Sequence, residues 1–111
     1  MDVFTALAVP TRRNIIEMLA RRGRLSASDI YDEFNASPSA ISQHLKVLRK
    51  ANLVQVEKRG QQRIYALDIE GIYAFELWTQ KMTRLWNRRF TALDKVLEIE
   101  KKKLVTKNRR K

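Results

Sequence analysis

The stretch SPSAISQHLKVLRKANLV, residues 37–54, decides the fold because it contains the strongest helix signal in the chain. Ser37 is a favoured N-cap residue, and Pro38 suits the first helical position, where a backbone N–H would have no partner. At about 100° per residue, the apolar positions fall on one stripe. These positions are Ile41, Leu45 and Leu48. The sequence therefore predicts a helix over residues 38–50 that buries one face.

The opposite face of this helix is polar and contains no acidic residue. A face that is only solvated usually mixes both charges, whereas this one carries hydroxyls, an amide and cations. A helix fits the major groove of DNA, and Gln pairs bidentately with adenine. An ordinary solvated face is the alternative. We predict contact with bases and phosphates by Ser39, Ser42, Gln43, Lys46 and Lys50 of this helix, by its cap residue Ser37, and by His44, which lies at the margin of the buried stripe.

Two helices are predicted before this one. The first, within PTRRNIIEMLARRG, begins at Pro10 and stops at Gly23. The second, within LSASDIYDEFNA, is capped by Ser26 or Ser28 and ends near Asn35. The three- or four-residue turn that follows has the spacing of a helix-turn-helix. At the start of the first helix, two cations are further candidates for phosphate contact: Arg12 and Arg13.

A basic β-hairpin is predicted directly after the polar helix. Over residues 54–67 the apolar period changes from about 3.6 to 2, and Gly60 marks the turn. Cations attract phosphates and enter narrow minor grooves. The alternative is an edge hairpin that its charges protect from aggregation. The residues predicted to contact DNA are Lys58, Arg59, Gln61, Gln62 and Arg63.

A long helix is predicted from Gly71 onward, because no Gly or Pro follows and apolar residues recur at helical spacing. A helix of about 30 residues extends on the order of 45 Å, more than a domain of this size covers by itself. A second copy of the chain would cover the apolar stripe across a two-fold axis. An inducer pocket is the less common use of such aromatics. The predicted dimer interface is Val3, Phe4, Leu7, Phe75, Trp78, Met82, Leu85, Trp86, Phe90, Leu93 and Leu97.

Composition fits one domain over residues 1–100, followed by a basic tail over 101–111 that we expect to be disordered. The 111-residue chain has a net charge of +11, and seven of its Lys and Arg residues lie in that tail. Such a charge predicts attraction to a polyanion. The acid at the N-terminus argues against a signal peptide, and no apolar run approaches a membrane span. We expect a cytoplasmic protein.

No catalytic or metal site emerges from the residue types. The chain has no cysteine, so thiolate ligands and a cysteine nucleophile are excluded. His44 is the only histidine, and its neighbours one helical turn away are not metal ligands, so packing or phosphate contact is its expected role. Asp94 and Glu98 lie one turn apart, but nearby lysines favour a solvated charged face. We expect neither an enzyme nor a cofactor or metal.

The order of these elements resembles the ArsR/SmtB family of dimeric winged-helix repressors over residues 4–95. The resemblance rests on ALAVPTRRNIIEML, SPSAISQHLKVLRKANLV and GQQRIYAL. It implies a homodimer that binds operator DNA through the helix containing Ser39 and Lys46 and through a wing from Lys58 to Arg63, with repression relieved by an inducer. Metal-sensing members carry Cys in the helix that here begins LSASDI, or His and Asp along the C-terminal helix. This chain is more similar to the metal-independent branch, whose members often repress their own gene.

The expected fold is mostly α with a small β-hairpin wing: a winged helix-turn-helix with a long C-terminal dimerisation helix. The expected function is sequence-specific binding of double-stranded DNA by a dimeric repressor, at a near-palindromic operator. The alternative is a winged-helix protein-interaction module that binds an acidic partner. The operator, the target genes and the identity of any inducer do not follow from these residues.

Overall fold

The computed structural model describes residues 2–109, apart from the side chains of residue 92 and residues 105–109. The chain divides into two compact units, one reaching to Phe75 and the other beginning at Glu76. The described residues form a mostly helical fold with one small antiparallel sheet, as predicted. Its elements are α1 (Val3–Leu7), α2 (Pro10–Arg22), β1 (Leu25–Ser26), α3 (Ala27–Asp32), α4 (Pro38–Lys50), β2 (Val54–Arg59), β3 (Gln62–Leu67) and α5 (Ile69–Arg109).

The core of the first unit is built around the predicted stripe of α4. Ile41, Leu45 and Leu48 each have 0% of their surface exposed, so the stripe is confirmed. These side chains pack with apolar residues from the preceding helices and from the start of the wing. Those contributed by the neighbouring elements include Ile15, Leu19, Ile30, Leu53 and Val54. Because α4 is held on one side only, its polar face is left open to solvent.

The turn between α3 and α4 is longer than predicted. Helix α3 ends at Asp32 rather than near Asn35, so residues 33–37 separate the two helices. The N–H groups of Glu33 and Phe34 donate to carbonyls three residues back, at 3.2 and 3.4 Å. Such bonds tighten the chain into a 3₁₀-type turn, which ends the helix early. The helix-turn-helix arrangement itself is retained.

The wing is confirmed, and a third strand that sequence reasoning missed joins it. Strands β2 and β3 pair antiparallel around Gly60, whose φ is +61°. Strand β1 pairs with the other edge of β3, so the sheet order is β1-β3-β2. Two residues are too few to show an alternating pattern, which explains why β1 was missed.

The end of α4 has a left-handed cap at Asn52, whose φ is +61°. The N–H of Leu53 donates to the carbonyl of Leu48, and the N–H of Asn52 donates to that of Arg49, both at 3.0 Å. These two bonds form a Schellman motif, for which Asn is the usual substitute for Gly. Gly71 approaches this cap so closely that a Cβ at position 71 would overlap the carbonyl oxygen of Asn52. The motif therefore fixes where α5 begins.

Helix α5 continues to Arg109, whereas the sequence predicted disorder from residue 101. Residues 101–109 contain no Gly or Pro and are rich in Lys, which is compatible with a helix. Residues 110 and 111 of the predicted tail lie outside the described residues, and the predicted domain boundary at residue 100 stays a prediction. Among the described residues, no helix combines the length and apolar character that a membrane span requires.

We predict that Gly71→Ala destabilises the protein, although Gly→Ala inside a helix normally stabilises by roughly 1 kcal/mol. The added methyl meets the backbone of Asn52, and overpacking of this kind costs about 1 to 3 kcal/mol. Urea unfolding at one fixed protein concentration measures the difference. The exposed neighbour provides the control, since Glu70→Ala should change the free energy of unfolding by less than about 0.5 kcal/mol. A more stable Gly71→Ala protein would contradict the close approach.

Candidate nucleic-acid interface

The polar face of α4 is exposed, as predicted. Ser39, Ser42, Gln43, Lys46 and Lys50 are all open to solvent on the side away from the buried stripe. Their contact with DNA stays a prediction, but their availability for it is established.

Ser37 has a structural role in addition to its predicted contact. Its Oγ accepts the N–H of Ala40 at 3.1 Å, so it caps the first turn of α4. The cap satisfies one of the N–H groups that a helix start leaves unpaired. The cap fixes the first turn of α4, and Ser39 on the polar face lies in that turn.

A groove of about 410 Å³ lies between α4 and the wing. Apolar side chains form its floor, and both walls carry cations. Its lining residues are Ser42, Leu45, Lys46, Arg49, Val56, Lys58, Arg63 and Tyr65. Four of these are basic and none is acidic, so the groove concentrates positive charge and suits an anion.

Arg49 is a member of this groove that the sequence prediction missed. On the helical wheel it lies about 80° from Ile41, between the buried stripe and the polar face. The signal available was its position in the last turn of α4, directly before the wing. A long side chain there extends from the margin of the core into the space beside the hairpin.

The two faces of the wing differ in charge. Side chains alternate along a strand, so Lys58 and Arg63 share the groove face with Val56 and Tyr65. Lys58 and Arg63 are also directly opposite each other across the β2–β3 ladder. Like charges in this arrangement destabilise a sheet. An anion bound in the groove would relieve that repulsion.

The outer face of the wing carries an acid, so the wing as a whole is not acid-free. Glu57 lies 3.4 Å from the guanidinium of Arg24 and 3.5 Å from that of Arg59. Arg59, a predicted DNA contact, is therefore paired within the protein. Gln61 is in the exposed turn, and Gln62 is opposite Arg59. Only the groove face of the wing keeps the unmixed positive charge that the sequence suggested.

Arg12 and Arg13, predicted to meet phosphate, both donate to groups of the protein. Arg12 Nε donates to Nδ1 of His44 at 3.3 Å, and its Nη1 donates to the carbonyl of Thr5 at 3.5 Å. Arg13 Nη1 donates to the carbonyl of Leu7 at 2.7 Å. Phosphate contact by either arginine stays a prediction, and it would have to compete with these bonds.

His44 is half-buried at the margin of the α4 stripe. Burial lowers the pKa of His44 below its ordinary value of 6.5, and the positive charge of Arg12 lowers the pKa further. The folded protein therefore favours the neutral imidazole. The lowered pKa contributes fully to the free energy of unfolding above pH 6.5. This contribution is lost as the pH falls through the pKa of His44 in the folded protein.

The predicted dimer residues fall into two groups. In the first unit, Val3 and Leu7 pack partly on the core, while Phe4 is 54% exposed and its ring meets the edge of Phe75 at 5.8 Å. In the second unit, Met82 is half-buried and the other predicted residues are exposed. These are Trp78, Leu85, Trp86, Phe90, Leu93 and Leu97.

In the part of the chain that the structure describes, no group of three His, Cys, Asp or Glu side chains lies close enough to hold an ion.

Sequence comparison identifies the relatives of this chain. The sequence model described as bacterial regulatory protein, arsR family, matches residues 9–56. The HTH-type transcriptional regulator Rv2034 of Mycobacterium tuberculosis (strain ATCC 25618 / H37Rv) is 38% identical over 95 residues, which cover 86% of this chain and 85% of the relative. The chain belongs to the ArsR family. The resemblance predicted from its motifs is thereby confirmed.

Other members of the ArsR family agree in sequence and fold. The transcriptional repressor SdpR of Bacillus subtilis (strain 168) is 39% identical over 67 residues, covering 60% of this chain and 73% of SdpR. The solved structure of an ArsR-like transcriptional regulator from Rhodococcus sp. RHA1 matches with a TM-score of 0.72 at 29% identity, covering 85% of this chain and 88% of that one. This ArsR-family protein is a DNA-binding transcriptional regulator with a winged helix-turn-helix, a class that generally lacks enzymatic activity.

We predict that Ser37→Ala lowers the free energy of unfolding by about 1 kcal/mol, because the α4 cap is lost. Thermal unfolding followed by circular dichroism provides the measurement. Ser39→Ala is the matched control, since Ser39 is exposed two positions later and should change stability by less than about 0.5 kcal/mol. Equal stability of the two variants would count against the capping role.

Proposed function

We propose that the protein is a homodimeric repressor that binds a near-palindromic operator through α4 and the wing of each protomer. The observation that carries the proposal is the basic groove between these two elements. It gathers four cations without a carboxylate and includes a pair of like charges at adjacent positions of the sheet.

The exposed face of α4 suits base recognition. It presents an amide at Gln43, hydroxyls at Ser39 and Ser42, and a cation at Lys46. A helix of this kind fits the major groove, where Gln binds adenine through two hydrogen bonds. The buried stripe fixes the core-facing side of α4, and the Ser37 cap fixes its first turn. Rigid support of this kind is needed for base discrimination.

The groove suits the phosphodiester backbone that runs beside a helix in the major groove. Lys46 and Arg49 reach it from α4, whereas Lys58 and Arg63 reach it from the wing. Phosphate contacts fix the register of a protein on DNA, and base contacts supply the specificity. One groove flanked by both elements therefore positions Gln43 relative to the base pairs.

The second unit supports dimerisation. From Trp78 to Leu97, large apolar side chains recur along one side of α5, and Trp86 is 64% exposed. A helix that leaves such a stripe in water gains little from its own hydrogen bonds and needs a packing partner. A second copy supplies an identical stripe across a two-fold axis. Two α4 helices then meet successive major grooves about 34 Å apart, which requires a near-palindromic site.

We assign the protein to the metal-independent branch of the family. The chain has no cysteine, and its single histidine is bonded to Arg12. Asp94 and Glu98 on α5 have Lys95 and Lys101 as neighbours in sequence, which disfavours a cation. Induction would then depend on something other than metal ligation by these residue types.

The decisive experiment is a titration of the protein with a fluorescent duplex from upstream of its own gene, beside a scrambled duplex, at two salt concentrations. We expect a preference of roughly 10³ or more for the specific duplex. Gln43→Ala should reduce discrimination at one base pair per half-site by about 1 to 3 kcal/mol, because a bidentate contact is removed. Gln55→Ala is the matched control, since this exposed Gln lies on the outer face of the wing.

Two outcomes of this titration would count against the proposal. Equal and steeply salt-dependent binding to both duplexes would indicate a general polyanion binder and favour the interaction module with an acidic partner. An unchanged base preference in Gln43→Ala would remove that residue from the recognition surface even if the wild type binds specifically.

We predict that Leu93→Asp converts the dimer to a monomer, because a carboxylate is costly in an apolar interface. Sedimentation equilibrium measures the change. Leu77→Asp is the matched control: Leu77 and Leu93 are 48% and 51% exposed, but they lie about 160° apart around α5. The control should remain dimeric. Dimers of both variants would place the interface elsewhere, and monomers of both would implicate the whole helix rather than one stripe.

A further inference from the structure

The side chain of Arg12 connects three helices of the first unit. It starts in the first turn of α2 and donates from Nε to His44 on α4 and from Nη1 to the carbonyl of Thr5 on α1. Phe4, the residue before Thr5, contacts the ring of Phe75 in α5. One guanidinium therefore links the N-terminal helix, which adjoins the start of the dimerisation helix, to the helix that carries the polar face.

The bond to His44 exists in only one protonation state of the imidazole. Nδ1 accepts from Arg12, so Nδ1 must lack a proton and the neutral ring must carry its proton on Nε2. The imidazolium would place an N–H at Nδ1 against the N–H of Arg12, and two positive charges would face each other. Among the described residues, Arg12 is the one charged group whose field is found to act on His44, and burial of the ring lowers the pKa of His44 in the same direction.

We propose that Arg12 is a positioning residue that couples α1 to the recognition helix by donating to neutral His44. DNA affinity falls when substitution of Arg12 or protonation of His44 breaks this bond. The DNA part of this inference rests on the proposed function. His44 directly follows Gln43, so the link holds α4 beside its predicted base contact. A recognition constellation functions only within about 0.5 Å of its productive geometry. The link therefore affects binding whether or not Arg12 also contacts a phosphate.

Direct phosphate contact by His44 would give the opposite pH dependence of DNA binding. If its imidazole met a phosphate, protonation would add a positive charge and strengthen binding as the pH falls. The coupling described here requires that protonation weaken binding. The sign of the pH dependence thus separates a positioning role from a direct contact.

The link itself can be tested without DNA. His44 is the only histidine, so its imidazole C–H resonances in a proton NMR titration report on this residue alone. We expect the wild-type pKa to lie below 6.5, and Arg12→Met to raise the pKa because it removes the adjacent positive charge. Arg13→Met is the matched control, since Arg13 donates to Leu7 rather than to His44. An unchanged His44 titration in Arg12→Met would overturn the link.

The coupling to DNA is tested by measuring affinity for the specific duplex from pH 8 down to about one pH unit below the His44 pKa that the NMR titration gives. Wild-type affinity should fall as the pH drops through the lowered pKa of His44, and Arg12→Met should bind about tenfold more weakly at pH 8, the loss expected for one charged hydrogen bond. His44→Gln offers a carbonyl acceptor that does not titrate, so its affinity for the duplex should lose this pH dependence. Wild-type affinity that rises at low pH, or a flat profile, would overturn the coupling.

The two proposals fail in distinguishable ways. Absence of specific binding at every pH would refute the proposed function and, with it, the DNA part of this inference, while the NMR titration still decides whether Arg12 holds His44. If the wild type binds specifically and a normally folded Arg12→Met variant binds with the same affinity, the positioning role alone is refuted.

Discussion

The rest of the structure depends on how α4 ends. Its stripe is fully buried, so the helix cannot shift without exposing the core. At Asn52 the left-handed cap reverses the chain, and Leu53 enters the core directly afterwards. The carbonyl of Leu53 then accepts the N–H of Asp68, whose side chain accepts the N–H of Gly71 and begins α5. One turn at the end of the recognition helix therefore fixes the start of the wing and the start of the long helix together.

That constraint places cations where they repel one another. Because β2 leaves the cap in a fixed register, Lys58 is directed to the same side as Val56 and faces Arg63 across the ladder. Val56 and Tyr65, on the same face, pack toward α4, so the strand positions of both cations are fixed by the core. The fold therefore holds two like charges at opposite positions of the sheet, and an anion in the groove would relieve their repulsion.

Sequence patterns predicted the elements that are defined locally. The 3.6-residue period identified α2, α4 and α5, the change to a period of 2 identified the wing, and cap residues such as Ser37 marked the boundaries. Features that depend on distant segments were missed. Strand β1 exists only because β3 lies beside it, Arg49 joins the groove only because the wing folds over it, and Arg12 meets His44 across 32 positions of sequence. Local periodicity carries no information about such contacts.

The arrangement of charge says more about binding than the net value of +11 does. In the described part of the first unit, Arg21, Arg22 and Arg24 each have a carboxylate within 4.0 Å, from Glu17, Glu33 and Glu57. Such surface pairs add little stability, but they cancel positive charge away from the groove. The cations that line the groove have no such pair among the described residues. The salt dependence of binding is set by the number of phosphates that cations neutralise, because each one releases counterions. The net charge therefore overstates the number of phosphate contacts. Under the proposed function, specific affinity would depend on the few unpaired cations of the groove and on Gln43, all of them on elements that the core beneath α4 holds in place.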